Sequence, residues 1–114
     1  MAGKARLICA SAALAEGGAG VRFEREGARG PESAFVVRFD GTAHAYLNRC
    51  AHVPVELDWQ PGNFFDADGL YLMCATHGAT YDAATGRCAG GPCRGQGLIK
   101  VAVTERDGGI YLEG

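Results

Sequence analysis

Two short cysteine–histidine pairs constrain this chain more than any other feature of its sequence. One residue separates Cys50 from His52 in CAH, and two residues separate Cys74 from His77 in CATHG. Thiolates and imidazoles both bind transition metals well, and the two pairs together supply four such ligands. The sequence therefore predicts a metal site built from two loops, and the spacing within the pairs bears on which metal it holds.

The spacing leaves two kinds of metal site to weigh. Zinc accepts two cysteines and two histidines, but its structural sites usually pair Cys-x2-4-Cys with His-x3-5-His. Here each pair mixes the two ligand types, and a single residue between Cys50 and His52 makes it hard for both to reach one atom. In a binuclear centre with both cysteines on one iron and both histidines on the other, each loop offers one ligand to each iron. That is the ligation of a Rieske [2Fe–2S] cluster.

Strand signals dominate the rest of the chain and predict an all-β fold. Asp-Gly at 40–41 predicts a hairpin over 34–47, and RDGG at 106–109 predicts a C-terminal hairpin between 98–103 and 110–113. No segment has a sustained helical period with caps, and 53–59 predicts a helical turn at most. Further strands are predicted at 5–10, 21–25 and 70–73. Both Cys/His pairs then lie in loops that follow strands.

Length, charge and cysteine count narrow the class of protein. A chain of 114 residues predicts one domain. The net charge of −2, with no long basic run, argues against nucleic-acid binding, and no apolar run reaches the roughly 18 residues of a membrane helix. The N-terminal segment loosely imitates a secretory signal, but its alanine-rich character favours a first strand. Five cysteines, an odd number, are atypical of a secreted disulfide scaffold, so we expect a cytoplasmic protein.

The two pairs resemble the signature of the Rieske family, Cys-x-His followed by Cys-x2-His-Gly. Gly78 follows the second histidine, Tyr81 lies three residues further on, and GGPC at 90–93, with Pro92, resembles the Gly-Pro loop that covers the cluster. The resemblance spans nearly the whole chain, and the member most similar in size is the Rieske-type ferredoxin. It implies a single Rieske domain over 1–114 with antiparallel sheets, in which the two Cys/His loops form a small cluster-binding part at about 48–95. It also implies one [2Fe–2S] cluster per chain, held by Cys50, His52, Cys74 and His77.

The implied function is one-electron transfer from a reductase to a terminal oxygenase or another redox enzyme. The chain is not expected to be an enzyme itself, because only His44 remains for a second iron site and there is no GxGxxG loop for a nucleotide cofactor. Two alternatives stay open. One is a small subunit or accessory module of a larger redox enzyme, as in nitrite reductases, and the other is a non-redox zinc-binding interaction module.

Departures from the high-potential members of the family bear on the reduction potential. Those members have an additional cysteine in each ligand loop and a serine after the His-Gly, whereas this chain has no such cysteines and has Ala79. Hydrogen bonds to the cluster sulfurs raise the potential, and the resemblance implies that only the Tyr81 hydroxyl donates one, to the Cys50 sulfur. We therefore expect a potential in the lower part of the Rieske range of about −150 to +300 mV.

The remaining candidate residues favour structural roles. His44 is expected to be a surface or packed residue, Cys9 a buried small hydrophobe, and Trp59 a packing residue. Cys88 and Cys93 bracket AGGP, a loop short enough to bring them within disulfide distance. A reducing compartment favours the two thiols remaining unbonded.

Overall fold

The computed structural model describes residues 6–27, 30–49, 64–65, 69, 71–74, 79–90 and 97–113. In this part of the chain ten strands form three antiparallel sheets, with a 3₁₀ helix at Ser11–Ala13. The strand orders are β1-β10-β9, β2-β3-β4-β8 and β5-β6-β7. The strands are β1 Arg6–Ala10, β2 Val21–Gly27, β3 Gly30–Phe39, β4 Thr42–Leu47, β5 Tyr71–Met73, β6 Thr80–Asp82, β7 Cys88–Gly90, β8 Lys100–Val101, β9 Val103–Arg106 and β10 Gly109–Leu112. Among these residues there is no helix with the length and apolar character that crossing a membrane requires.

The four-stranded sheet is central because it is covered on both faces. Successive side chains of a strand point to opposite faces, so the uninterrupted apolar run at 34–37 on β3 supplies two cores at once. Ala34 and Val36 pack with Ile110 of the β1-β10-β9 sheet. Phe35 and Val37 pack on the other side, with residues of the β5-β6-β7 sheet. The central sheet therefore separates a structural core from the core beneath the predicted metal site.

Both tight turns predicted from Asp-Gly are present. Asp40 and Gly41 have φ of 53° and 75°, and Asp107 and Gly108 have φ of 50° and 74°. Two consecutive left-handed residues define the type I′ turn, whose twist matches that of paired strands. They fix the register of the β3–β4 and β9–β10 hairpins, with Phe39 opposite Thr42 in the first.

Arg38 joins three separate segments of the chain at the end of β3. Its guanidinium donates to the carbonyl oxygens of Leu14 and Ser11 at 3.1 and 3.3 Å, and forms an ion pair with Glu105 of β9 at 2.7 Å. The ion pair lowers the pKa of Glu105 and raises the pKa of Arg38. The contacts hold the segment after β1 and strand β9 against the central sheet.

The structure confirms the all-β antiparallel fold and the first strand, and corrects the C-terminal hairpin. Segment 98–103 is not one strand: Lys100–Val101 pairs with β4, and Val103–Arg106 pairs with β10. A strand break at Ala102 lets this segment change sheets. The pairing of β2 with β3, and the short strands β6 and β7, were not predicted from the sequence. The helical turn considered at 53–59 lies outside the described residues.

Candidate metal centre

Cys74 is the one predicted ligand that lies among the described residues. It follows β5 directly, its side chain is fully buried, and it takes part in no disulfide. The other predicted ligands, Cys50, His52 and His77, lie outside the described residues, as do Gly78 and Pro92. The structure therefore places one ligand position in detail and the chain segments that lead to the others.

The β5–β6 hairpin fixes where the second ligand pair begins and ends. Met73 lies opposite Thr80, and the next pair along is closed by a 2.8 Å hydrogen bond from the Cys74 amide to the carbonyl oxygen of Ala79. The Met73 amide in turn donates to the carbonyl oxygen of Phe64 at 2.8 Å. Because these bonds bracket 75–78, the ends of the segment that carries His77 are held together by the sheet.

The first ligand pair follows a strand end that is also held in place. The Leu47 amide donates to the carbonyl oxygen of Ile99 at 2.9 Å. The Asn48 amide donates to the carbonyl oxygen of Ser33 at 2.8 Å. Asn48 is the one buried polar residue among the described residues, with 4% of its surface exposed. The chain therefore leaves the central sheet from a fixed point two residues before Cys50.

A continuous apolar core lies under the Cys74 loop. Ala79 and Tyr81, the two residues predicted to influence the cluster sulfurs, are both fully buried and belong to the same core as Cys74. Phe35 of β3 stacks on Phe64 with 3.9 Å between ring centroids, so aromatic packing joins the central sheet to this core. A close-packed apolar base of this kind keeps the position of the Cys74 sulfur fixed.

Tyr46 provides a polar connection across the same core, which was not predicted from the sequence. Its hydroxyl donates a 2.8 Å hydrogen bond to the carbonyl oxygen of Ala83, in the turn between β6 and β7. Burial is the main cause that raises the pKa of the phenol, so the donor stays protonated. The alternation in 42–47 places Tyr46 and His44 on the same face, but it does not reveal the hydrogen-bond acceptor.

Two other titratable residues considered from the sequence, His44 and Cys9, do not belong to a group of metal ligands among the described residues. His44 is half-buried on β4, and burial, assisted by Lys100, lowers the pKa of its imidazole. Among the described residues no three histidine, cysteine or acidic side chains gather into a group that could hold a metal ion. Cys9 is half-buried, and burial raises the pKa of its thiol, which agrees with a packing role. Trp59 lies outside the described residues.

Cys88 differs from the sequence-based expectation. Its side chain packs partly against the core beneath the site, as expected for the end of a strand, but its sulfur is in a disulfide rather than a thiol. Cys9 and Cys74 take part in no disulfide, so the partner sulfur belongs to one of the two cysteines outside the described residues. The expectation of an unbonded Cys88, which assumed a reducing compartment, is therefore wrong.

The described residues fit the cofactor that the sequence predicts. A cysteine sulfur that is to bind iron must lie in a position shielded from water and must not be consumed in a disulfide, and Cys74 meets both conditions. The apolar surroundings of Cys74 also limit solvent access, which is one determinant of reduction potential.

Comparison with known proteins identifies the family of this chain. The family model described as Rieske [2Fe-2S] domain matches residues 5–105. A ferredoxin of Sphingomonas yanoikuyae B1 is 25% identical, with a TM-score of 0.76 over 97% of this chain and 99% of that chain. The ferredoxin of carbazole 1,9a-dioxygenase from Nocardioides aromaticivorans IC177 is 23% identical, with a TM-score of 0.75 over 95% of each chain. The terminal oxygenase of the same system is 23% identical, with a TM-score of 0.76 over 95% of this chain and 29% of that chain. Comparison with curated proteins found no match.

The matched region covers most of the chain and includes both Cys/His pairs. The chain belongs to the Rieske [2Fe-2S] domain family. Its cofactor is a [2Fe–2S] cluster, which decides between the iron–sulfur centre and the zinc site that the ligand types alone left open.

Proposed function

We propose that this chain is a ferredoxin that carries one electron from a reductase to a terminal oxygenase. The observation that carries the proposal is the match to the Sphingomonas yanoikuyae B1 ferredoxin, which extends over 99% of that chain at 25% identity. A second match, at 25% identity and a TM-score of 0.74, is described as a complex of reduced oxygenase and oxidised ferredoxin in carbazole 1,9a-dioxygenase. These relatives support transfer between proteins rather than an activity of this chain alone.

We assign the cluster ligands to Cys50, His52, Cys74 and His77, with both cysteines on one iron and both histidines on the other. When bound, the cluster takes up and releases one electron. The residues of the chain position and shield it: the Cys74–Ala79 hydrogen bond holds the second ligand loop, and the apolar core excludes water from the sulfur side. Residues 1–114 are proposed to form one domain with its cluster-binding part at about 48–95, and the default location remains the cytoplasm.

The ligand assignment is tested by spectroscopy of protein purified without air. Wild-type protein is expected to show a visible charge-transfer spectrum and, after reduction, an S = 1/2 EPR signal. Alanine at any of the four ligand positions is expected to abolish both, because an incomplete ligand set leaves the cluster labile. His44→Gln is the matched control and is expected to keep the spectrum, since His44 lies on β4 within the central sheet. Loss of the spectrum in His44→Gln together with its retention in His52→Ala would refute the assignment.

The carrier role is tested by electron transfer in solution. Protein reduced by a ferredoxin reductase is expected to be reoxidised rapidly when mixed with a Rieske-type terminal oxygenase, and stopped-flow absorbance measures the rate. An accessory subunit would instead co-purify in fixed stoichiometry with a large catalytic subunit. Co-purification in fixed stoichiometry, together with no electron transfer by the isolated chain, would show that the chain is an accessory module and not a free carrier.

A further inference from the structure

Two phenylalanines cover the outer edge of β5, the strand that leads to Cys74. Phe65 forms an antiparallel bridge with Leu72, and the Met73 amide donates to the carbonyl oxygen of Phe64 at 2.8 Å. On its other edge β5 pairs with β6. The strand is therefore hydrogen-bonded along both edges directly before the cysteine.

The side chains of the same two phenylalanines attach this segment to the central sheet. The ring of Phe64 stacks on Phe35 of β3, with 3.9 Å between the centroids and 12° between the ring planes, and only 1% of Phe64 is exposed. Gly20 lies against the edge of this ring, since a Cβ atom there would be 2.8 Å from Cδ2 of Phe64. The centroid of the Phe65 ring lies 6.3 Å from that of Phe39, further along β3. The Phe64 ring is therefore enclosed and has little room to move.

Strand β3 also holds the strand that leads to the first ligand pair. It pairs with β4, and the carbonyl oxygen of Ser33 accepts a 2.8 Å hydrogen bond from the Asn48 amide. Ser33 and Phe35 are two residues apart on β3. The segments that lead to the two ligand pairs thus come from two different sheets, and β3 contacts both. The stack of Phe64 on Phe35 lies on the path that fixes β5 relative to β4.

We propose that Phe64 is a positioning residue for the cluster: its backbone bond to Met73 and its stack on Phe35 set the place of the Cys74 sulfur relative to the central sheet. Two bridged irons need their ligands at a fixed separation, and close packing around a ligand strand maintains one position. The ring also belongs to the apolar core that contains Cys74, so it helps to keep water away from the sulfur. This role rests on the proposed ligation by Cys74.

Phe64→Leu in the holoprotein tests this role by voltammetry and spectroscopy. Leucine keeps the backbone carbonyl that Met73 binds, but it removes the planar ring that stacks on Phe35. We expect a higher reduction potential, because water that enters the core favours the reduced cluster, which carries one more negative charge than the oxidised cluster. We also expect broader EPR lines after reduction, because the Cys74 sulfur then occupies a range of positions. An iron chelator should bleach the visible spectrum several-fold faster than in wild type.

Ile110→Val is the matched control, because Ile110 is fully buried in the core on the other side of the central sheet. It should lower the free energy of unfolding, measured by urea titration, without changing the potential or the EPR lines. Phe35→Leu should reproduce the effects of Phe64→Leu. The double variant of these two residues should shift the potential by less than the sum of the single shifts, since both changes remove the same contact.

A Phe64→Leu protein that loses stability but keeps the wild-type potential and EPR lines would overturn the proposal, because Phe64 would then act only in folding. If Phe64→Leu does not fold, Phe64→Met, which fills the space with a longer side chain but has no planar ring, is measured in its place. Failure of both variants to fold would likewise overturn the positioning role. A wild-type protein that never shows the Rieske spectrum would instead refute the proposed ligand set.

Discussion

Gly86 lies directly against the ring of Tyr46, at the point where the turn between β6 and β7 meets the central sheet. A Cβ atom at Gly86 would lie 2.8 Å from Cε1 of Tyr46 and 3.3 Å from the carbonyl oxygen of Leu98. The backbone of Gly86 is also left-handed, with φ of 78°. This position therefore excludes a side chain for two independent reasons, the backbone conformation and the close approach of Tyr46.

Gly86→Ala is expected to destabilise the protein more than Gly41→Ala. Gly41 has a similar φ of 75°, but a Cβ atom there would have nothing within 4 Å, so this position isolates the backbone effect. We expect Gly41→Ala to lower the free energy of unfolding by about 1–2 kcal/mol. Gly86→Ala should lower it by about 1–3 kcal/mol more, because the new methyl group overpacks against Tyr46. Urea unfolding followed by far-UV circular dichroism measures both. Equal losses would mean that the ring of Tyr46 moves aside without cost.

Tyr46→Phe is expected to lower the free energy of unfolding by about 1–3 kcal/mol. The change keeps the ring but removes the hydroxyl that donates to Ala83, leaving a buried carbonyl oxygen without that donor. Tyr111→Phe is the control, because the guanidinium of Arg106 lies 4.3 Å from the Tyr111 ring centroid and this contact does not need the hydroxyl. The same urea titration compares the two variants, and a larger loss in Tyr111→Phe would contradict the assigned role of Tyr46.

His44 makes the stability of the folded protein depend on pH, and the direction of this dependence follows from the burial of its imidazole. Its pKa in the folded state is below the ordinary value of 6.5, chiefly because of burial and then of Lys100, opposed by a hydrogen bond to the backbone of Phe39 and by Asp82 and Asp40. Below pH 6.5 the unfolded chain therefore binds a proton at His44 more readily than the folded chain. The contribution of neutral His44 to the free energy of unfolding is therefore fully present above pH 6.5, and it is lost as the pH falls through the folded-state pKa.

His44→Gln is expected to remove this part of the pH dependence. Urea midpoints measured between about pH 8 and pH 5 should fall less steeply in the variant than in wild type, since this is the range in which histidine charges. The comparison cancels the titration of the other two histidines, which both proteins share. Parallel curves would show that His44 has the same pKa in the folded and unfolded chains.

The parts of the fold that were predicted from sequence are those that local signals determine. Asp-Gly turns specify two left-handed residues, so the second strand of the β3–β4 hairpin was predicted with its correct bounds at Thr42–Leu47. Strands β6 and β7 have three residues each, too short for an alternating pattern to be recognised. They form because the central sheet offers Phe35 and Tyr46 as an apolar surface, a tertiary effect that no local window contains.

At the metal centre, too, some features follow from local sequence signals and others depend on tertiary structure. Ligand types and spacing favoured an iron–sulfur centre over a zinc site, and the resemblance of the two pairs to the Rieske signature implied the [2Fe–2S] cluster. The burial of Cys74 and its backbone bond to Ala79 depend on how β5 pairs with β6, which the sequence does not state. The disulfide at Cys88 was considered but not favoured, because the expected reducing compartment was used to predict the state of the thiol.

Ala79 and Tyr81 should tune the reduction potential in opposite directions from the wild-type value. Ala79 is fully buried beside the Cys74 amide, so Ala79→Ser introduces a hydroxyl where high-potential relatives have one, and a hydrogen bond to a cluster sulfur should raise the potential. Tyr81→Phe keeps the buried ring and removes the hydroxyl that we propose reaches the Cys50 sulfur, so the potential should fall. A net hydrogen bond of about 0.5–1.5 kcal/mol corresponds to some tens of millivolts, since about 59 mV equals a tenfold change for one electron.

Protein-film voltammetry on the two single variants and the double variant measures these shifts. Because the two hydroxyls act on different sulfurs, the double variant should show close to the sum of the single shifts. Thr80→Val is the control, since Thr80 lies between the two positions and its hydroxyl donates to Gly90 at 3.4 Å, on the outer strand. It should leave the potential unchanged. An unchanged potential in Tyr81→Phe would show that its hydroxyl does not reach the cluster, and the wild-type potential should then lie at the bottom of the Rieske range.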